Sequence, residues 1–365
     1  MRNLRRYLSF LAPAAMLLAC GDSAAEYRLG MAGPFEEGFG IANKRGAELA
    51  LEQINAGGGI DGQQLVIEFR DDGGDGSRAA TIAQEFVDDE RIAAVVGHVT
   101  SGAMVAASKV YDGQLTALAT TASSAELTGI SRWVFRVISS DSANGADLAR
   151  FADRMGKRRA LVLYENDAYG RGLADAFRST FRGEVLGFDP IDGSGGDAEA
   201  FVAWALARRA DLVFVAGTER SGMALLRQAR AQGLTADFLG GDGWTGVVAD
   251  RAASEGALVG APFTSLDPRP EAQRFVEAFR AKYNEDPDGN AALAYDAVQV
   301  MAAGLRAVGP DRAKLRDWLG ARTTRDPLRG VTGAIAFQLT GDPIGKSLTM
   351  TRVRGGALVP VEESR

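Results

Sequence analysis

Three groups of polar residues stand where they could hold a small charged molecule. Ser101 lies just past the apolar run Ile92 to Gly97 and opens a helical pattern, so its hydroxyl and the free amides of a first helical turn would form a seat for an anion. Taken alone, the same serine is an ordinary helix N-cap. Thr120-Thr121-Ala122-Ser123-Ser124 again follows a strand-like run and offers hydroxyls and backbone groups, in what is otherwise a Thr/Ser-rich turn. Asp242 stands in Gly240-Gly241-Asp242-Gly243, after Phe238 to Gly240. A carboxylate buried there needs a partner, whereas one left in water is a turn residue.

Catalytic, metal and nucleotide chemistry find little material. His98 is the only histidine, so a Ser-His-Asp hydrolase would have to pair it with Ser101, yet no G-x-S-x-G elbow surrounds that serine. One histidine and one cysteine leave only carboxylates for a metal, and Asp71-Asp72-Gly73-Gly74-Asp75 lacks EF-hand spacing. No enzyme activity, metal or cofactor is expected. Gly57, Gly59 and Gly62 satisfy G-x-G-x-x-G but follow a helical pattern and precede a strand, the reverse of the dinucleotide-binding order. Gly345-Lys346-Ser347 imitates a phosphate loop with Thr340 where the first glycine should be. With 41 basic against 47 acidic residues and no long Lys/Arg run, nucleic acid is not expected as a partner.

The elements that would position these groups alternate in type. At 365 residues the chain exceeds what one hydrophobic core organises, so two domains are expected. Strand patterns fall at Tyr27 to Met31, Leu65 to Phe69, Ile92 to Gly97 and Leu115 to Ala119, with helical patterns Ile41 to Ile54, Ser77 to Asp88 and Gly102 to Tyr111 between them. A second series has strands at Ala160 to Tyr164, Glu184 to Phe188, Asp211 to Val215 and Phe238 to Gly240. Its helices are Gly145 to Met155, Gly170 to Thr180, Ala198 to Arg208 and Gly222 to Gln232. Two consecutive α/β, doubly wound, Rossmann-like lobes follow, and such sheets bind ligands beyond the carboxyl ends of their strands.

Three further helical patterns, Glu271 to Asn284, Ala291 to Ala307 and Asp311 to Ala321, have little strand between them and need a sheet to cover. They are assigned to the first lobe, which requires chain crossings near Val137, Ala261 to Leu266 and Leu339 to Ile344. The expected division is 27–137 plus 265–341 for lobe 1 and 138–264 plus 342–365 for lobe 2. The tail reads as a hairpin around Gly355-Gly356.

The N-terminus has its own chemistry. Arg2, Arg5 and Arg6 precede the apolar stretch Tyr7 to Leu18, which is short for a bilayer span, and Leu17-Leu18-Ala19-Cys20 follows at once. This resembles a bacterial lipobox. The resemblance implies a signal peptide over 1–19, diacylglycerol on Cys20, a short lipidated tether over 20–26, and a body held at a membrane facing the periplasm or cell exterior.

The mature chain resembles the leucine/isoleucine/valine-binding protein family, the type I periplasmic receptors of ABC importers. The resemblance rests on Gly38-Phe39-Gly40, Gly46-Ala47-Glu48, Ile54 to Gly62, Asp71-Asp72, Val96 to Ser101, Ala122 to Thr128, Asp167 to Gly172 and Ala294 to Val298, in that order. It implies two lobes joined by three crossovers, and an amino acid whose carboxylate meets Ser101. It also implies that the Ala122 carbonyl accepts from the ammonium, Ser123 contacts both charged ends, Asp242 pairs with the ammonium, Tyr169 closes over the ligand and Phe39 walls the pocket. Two departures concern the ligand side chain: Thr218-Glu219-Arg220 replaces a tyrosine, and alanines near Asn290 to Leu293 replace a larger residue. The implied partners are a small polar solute and the permease and ATPase subunits of an importer, with the receptor a monomer. A sensor lobe signalling to a membrane receptor or kinase, or a binder of an amide, urea-like compound or carboxylate, fits the same residues.

Overall fold

The computed structural model describes residues 26–361; Cys20, and the lipidation and export assigned to the segment around it, lie outside the described residues. The first third contributes β1 (Glu26–Gly33), α1 (Gly38–Ala56), β2 (Gln64–Asp71), α2 (Gly76–Asp88), β3 (Ile92–Gly97), α3 (Ser101–Tyr111), β4 (Ala117–Ala119) and β5 (Val134–Arg136). The five strands form a parallel sheet in the order β2-β1-β3-β4-β5. β3 is buried at every position, which is why it reads as a continuous apolar run and not as an alternation.

The middle third contributes α4 (Asp141–Arg154), β6 (Arg159–Glu165), α5 (Ala168–Thr180), β7 (Glu184–Ile191), α6 (Ala198–Arg208), β8 (Leu212–Ala216), α7 (Glu219–Gln232) and β9 (Asp237–Gly240). A 3-10 stretch, Asp242–Ala249, then leads to α8 (Arg251–Ser254) and β10 (Leu258–Ala261). After these come α9 (Pro270–Tyr283), α10 (Gly289–Val308), α11 (Arg312–Gly320), a small hairpin of β11 (Leu328–Gly330) and β12 (Gly333–Ile335), and the terminal hairpin β13 (Thr349–Arg354) and β14 (Ala357–Pro360). The second sheet has the order β14-β13-β10-β9-β8-β6-β7, with β13 and β14 antiparallel and the rest parallel.

Both sheets are covered on both faces. On the first, Ala47, Leu293, Met301 and Leu315 of α1, α10 and α11 pack against Leu29, Met31 and Val96, while Ile82, Phe86 and Met104 of α2 and α3 fill the other side. On the second, Leu148, Leu173 and Phe177 of α4 and α5 meet Val162 and Phe214, and Val202, Leu225 and Trp244 occupy the opposite face. α9 packs against α1 and α10 through Phe275 and Phe279. The α1–α10 contact is exceptionally close, since a Cβ on Gly46 would lie 2.0 Å from the Ala291 carbonyl oxygen.

Candidate ligand site between the lobes

The chain's polar groups converge because the loops that carry them all leave the carboxyl ends of strands. A cavity of about 210 Å³ is lined by Phe39 after β1, Gly74 after β2, Val99 to Gly102 after β3 and Thr121 after β4. The second sheet supplies Asp167 and Tyr169 after β6, Thr218 after β8, and Asp242 and Gly243 after β9; Asn290 of α10 completes the ring. It opens, past the shared Phe39, Gly74, Thr100 and Thr218, into a vestibule of about 470 Å³ lined by Glu36, Glu37, Glu219 and Arg220.

On the first-lobe wall, the Ser101 hydroxyl oxygen accepts from the amides of Ser123 (3.2 Å) and Ser124 (3.1 Å). With both lone pairs engaged, its proton is left to donate, so the hydroxyl presents a donor to whatever enters. The first-turn amides of α3 have no partner within the helix and add to the same field. Thr100, which precedes α3, has a buried hydroxyl with no hydrogen-bond partner among the described residues, as does Ser123. Thr121 donates to the Val99 carbonyl (2.9 Å), tying the two loops together.

Two buried charge systems hold this wall in shape. Arg136, at the end of β5, donates through Nη1 to the carbonyls of Ser123 and Ser124 (both 2.8 Å) and through Nε to Asp342 (2.7 Å), so the hydroxyl loop is fixed from behind. Asp72 accepts the Gly74 amide (2.8 Å) and sits 2.7 Å from His98 Nδ1, whose Nε2 lies 2.9 Å from the Tyr111 hydroxyl. His98 is therefore wholly buried in a structural chain beneath the Thr100-Ser101 turn, and it does not reach the cleft.

The second-lobe wall is acidic. Tyr169 donates to Asp242 Oδ1 (3.2 Å) and accepts from the Gly243 amide (3.0 Å), so one hydroxyl orients the 3-10 stretch and the carboxylate that begins it. Burial pushes Asp242 up to about 6, against the hydrogen bonds that favour its charged form. Beside it lies Asp141, the first residue of α4, fully buried and with no hydrogen-bond partner on either carboxylate oxygen. Burial, then the neighbouring Asp242 charge, raise Asp141 well above the ordinary carboxylate range, with Ser123 and Arg136 pulling the other way. Both aspartates, after burial itself, also raise the Tyr169 phenol.

The far end of the cavity is polar. Thr218 donates through N and Oγ1 to Glu165 Oε1 (both 2.9 Å), and Ser221 donates to the same oxygen (2.7 Å), so Glu165 pins the β8–α7 turn. Asn290 donates to Asp288 (2.8 Å) and Thr245 (3.1 Å). Glu219, against Gly38 and Gly246, makes no hydrogen bond within the described residues; burial first, then Asp288 and Glu37, raise it to about 7. Arg220 pairs with Glu37 across the mouth at 2.5 Å, both side chains exposed.

Of the residues singled out from the sequence, Phe39, Ser101, Tyr169, Thr218 and Asp242 meet at one cavity. Ala122 and Ser123 are fully buried and do not line it, while their neighbour Thr121 does. Asp141 went unrecognised because an acid at a helix N-terminus is ordinary in sequence. Only its burial and lack of donors set it apart.

Two doubly wound lobes with a cleft at the carboxyl ends of their strands are the architecture of a solute-binding receptor. The chain belongs to the periplasmic binding protein family, whose sequence profile matches residues 29–357. That family comprises exported solute-binding proteins and not enzymes. The chain is 32% identical to the "Amino acid binding protein" of Pseudomonas aeruginosa over 93% of each chain. It is 31% identical to the same organism's "Leucine-, isoleucine-, valine-, threonine-, and alanine-binding protein" over 88% of each. Among solved structures, an ABC transporter substrate-binding protein of Desulfitobacterium hafniense in complex with Leu superposes with a TM-score of 0.80 at 31% identity, over 92% of this chain and 100% of the other. No helix among the described residues is long and apolar enough to cross a membrane.

Proposed function

We propose that this receptor captures a small α-amino acid, or a close analogue, in the interlobe cleft and delivers it to the permease and ATPase of an ABC importer. The reading rests on the polarity of the cleft: neutral donors at Ser101, Thr100 and the start of α3 on one wall, and the carboxylate of Asp242 with Tyr169 on the other. A zwitterion placed between them has its carboxylate at the donors and its ammonium at the acid. The amino-acid binders among the relatives support the same class.

In this reading the lobes, divided as 27–137 plus 265–341 and 138–264 plus 342–365, rotate about the crossings near Val137, Ala261 to Leu266 and Leu339 to Ile344, and the ligand holds them closed. Cys20 anchors the body as a monomer within reach of its membrane partner. A second ligand class, amides, urea-like compounds or carboxylates, draws on the far end, where Thr218, Asn290 and Glu219 offer hydrogen-bonding groups. A thermal-shift screen of the body after Cys20 against amino acids, carboxylates, amides and urea-like compounds separates the two, because a ligand specific to the folded state raises its melting temperature. A shift from amino acids is expected. A shift from another class alone would overturn the amino-acid assignment.

A further inference from the structure

The first-lobe wall offers an anion only neutral donors, yet a buried cation stands one peptide behind it. Arg136, 2% exposed at the end of β5, donates through Nη1 to the Ser123 carbonyl (2.8 Å). That carbonyl shares a peptide plane with the Ser124 amide, which donates to Ser101 Oγ (3.1 Å). The Asp141 amide adds a second donor to the same carbonyl oxygen (2.8 Å). Guanidinium, peptide and hydroxyl therefore form one line of hydrogen bonds, each polarising the next, that ends at Ser101 in the cavity lining. Behind Arg136 stands Asp342, which accepts from Nε at 2.7 Å. Its segment reaches β5 because residue 341 is glycine: φ is +83°, and a Cβ there would lie 2.1 Å from the Val134 carbonyl oxygen. Thr128 Oγ1 accepts from Nη2 (2.8 Å), so the guanidinium is held on all sides and does not enter the cleft itself.

We propose that Arg136 is a positioning residue for the ligand's anionic end, lending it positive charge through the Ser123–Ser124 peptide and the Ser101 hydroxyl, and that Asp342 sets how much of that charge is delivered. This rests on the binding reading above and deepens it: the seat discriminates a carboxylate from its neutral carboxamide although no cation lines the first-lobe wall. A role confined to holding the fold would have Arg136 and Asp342 act alike, since removing either breaks the same buried pair. The relay has them act in opposite directions on affinity. Asp342→Asn keeps an acceptor for Nε and removes the charge that offsets the guanidinium.

The test is calorimetry of the receptor and its variants with the standard L-amino acids, the α-carboxamide of the tightest binder, and benzoate as probes. Arg136→Gln, which keeps donors without the charge, should weaken the tightest amino acid about fivefold and leave its α-carboxamide within about twofold. Asp342→Asn should tighten the amino acid about threefold while lowering the melting temperature, because the buried cation has lost its partner. In a Ser101→Ala background Arg136→Gln should cost no further affinity, since the relay is already cut. Weaker binding in both Asp342→Asn and Arg136→Gln, equal losses for carboxylate and carboxamide, or additive losses from Ser101→Ala and Arg136→Gln would each overturn the relay and leave the amino-acid reading standing. Should Arg136→Gln fail to fold, the sign of the Asp342→Asn effect decides alone. Benzoate bound in place of every amino acid would sink the amino-acid reading, and the same two variants would then judge the relay with benzoate as the anion.

Discussion

The first-lobe wall of the cavity carries no charged side chain: Phe39 and Val99 stand among hydroxyls and amides held in part by Arg136 and Asp72 behind them, whereas the second-lobe wall carries the acids Asp167 and Asp242. In the proposed amino-acid reading the difference follows from what each wall faces. A helix N-terminus and a few oriented hydroxyls meet an anion with partial charges that are cheap to bury, but protein backbone has no equally compact array for an ammonium, so full carboxylates are used. In the proposed reading the ligand's ammonium brings the second wall the positive charge it lacks.

The largest test of that contrast is Asp242→Ala. Removing the hydrogen-bonded acid should cost an amino-acid ligand about 3 kcal/mol or more, a hundredfold or greater rise in Kd by calorimetry, with circular dichroism unchanged. Equal affinity would break the assignment of the second wall. Ser101→Ala removes one donor from a wall that keeps its helix amides, so a smaller loss of about 1.5 kcal/mol, roughly tenfold, is expected. If Ser101→Ala cost more than Asp242→Ala, the comparison would be inverted.

Stability should register the acidic side through pH. Glu219 is raised to about 7 from 4.5, chiefly by burial and then by Asp288 and Glu37. A carboxyl whose folded value is raised binds its proton more tightly when folded, so stability is full below the unfolded value and is shed as pH climbs from about 4.5 through 7. Glu219→Gln should flatten that decline, melting higher than the native protein above neutrality and about the same at acid pH. The smallest effect belongs to the exposed Arg220–Glu37 pair at the mouth. Arg220→Ala should shift affinity by only about twofold, an effect that vanishes in high salt, as exposed pairs are worth about 0–1 kcal/mol.

The fold was legible because burial repeats with period. β3 and β8 are apolar at every position, and Ala198 to Arg208 is the helix the pattern assigns. β5, β10 and the 3-10 stretch were not, since three or four residues carry too little periodicity, and a tight turn of Gly-Trp-Thr-Gly looks like a loop. The site was legible where a residue type is tied to a strand end, as with Ser101, Tyr169 and Asp242. It was not legible where a residue's surroundings are set by distant segments of the chain. Nothing local to Asp141 tells that it will be buried close to Asp242, and nothing local to Thr121 tells that it will line the cavity.

The close seating of α10 on α1 at Gly46 sets an order of events for a chain that emerges N-terminus first. Ala291 must travel to a partner some 245 residues earlier, and Arg312 donates to the carbonyls of Val87, Asp89 and Ile92 at similar range. Until those segments arrive, the face of the first sheet that bears Leu29 and Val96 has α1 but neither α10 nor α11 upon it. The second sheet's strands from β6 to β10, by contrast, are complete within a continuous stretch. Contacts of high sequence separation form slowly, so the lobe begun first waits long for the helices that cover it, and its half-covered sheet is the surface a chaperone would have reason to guard.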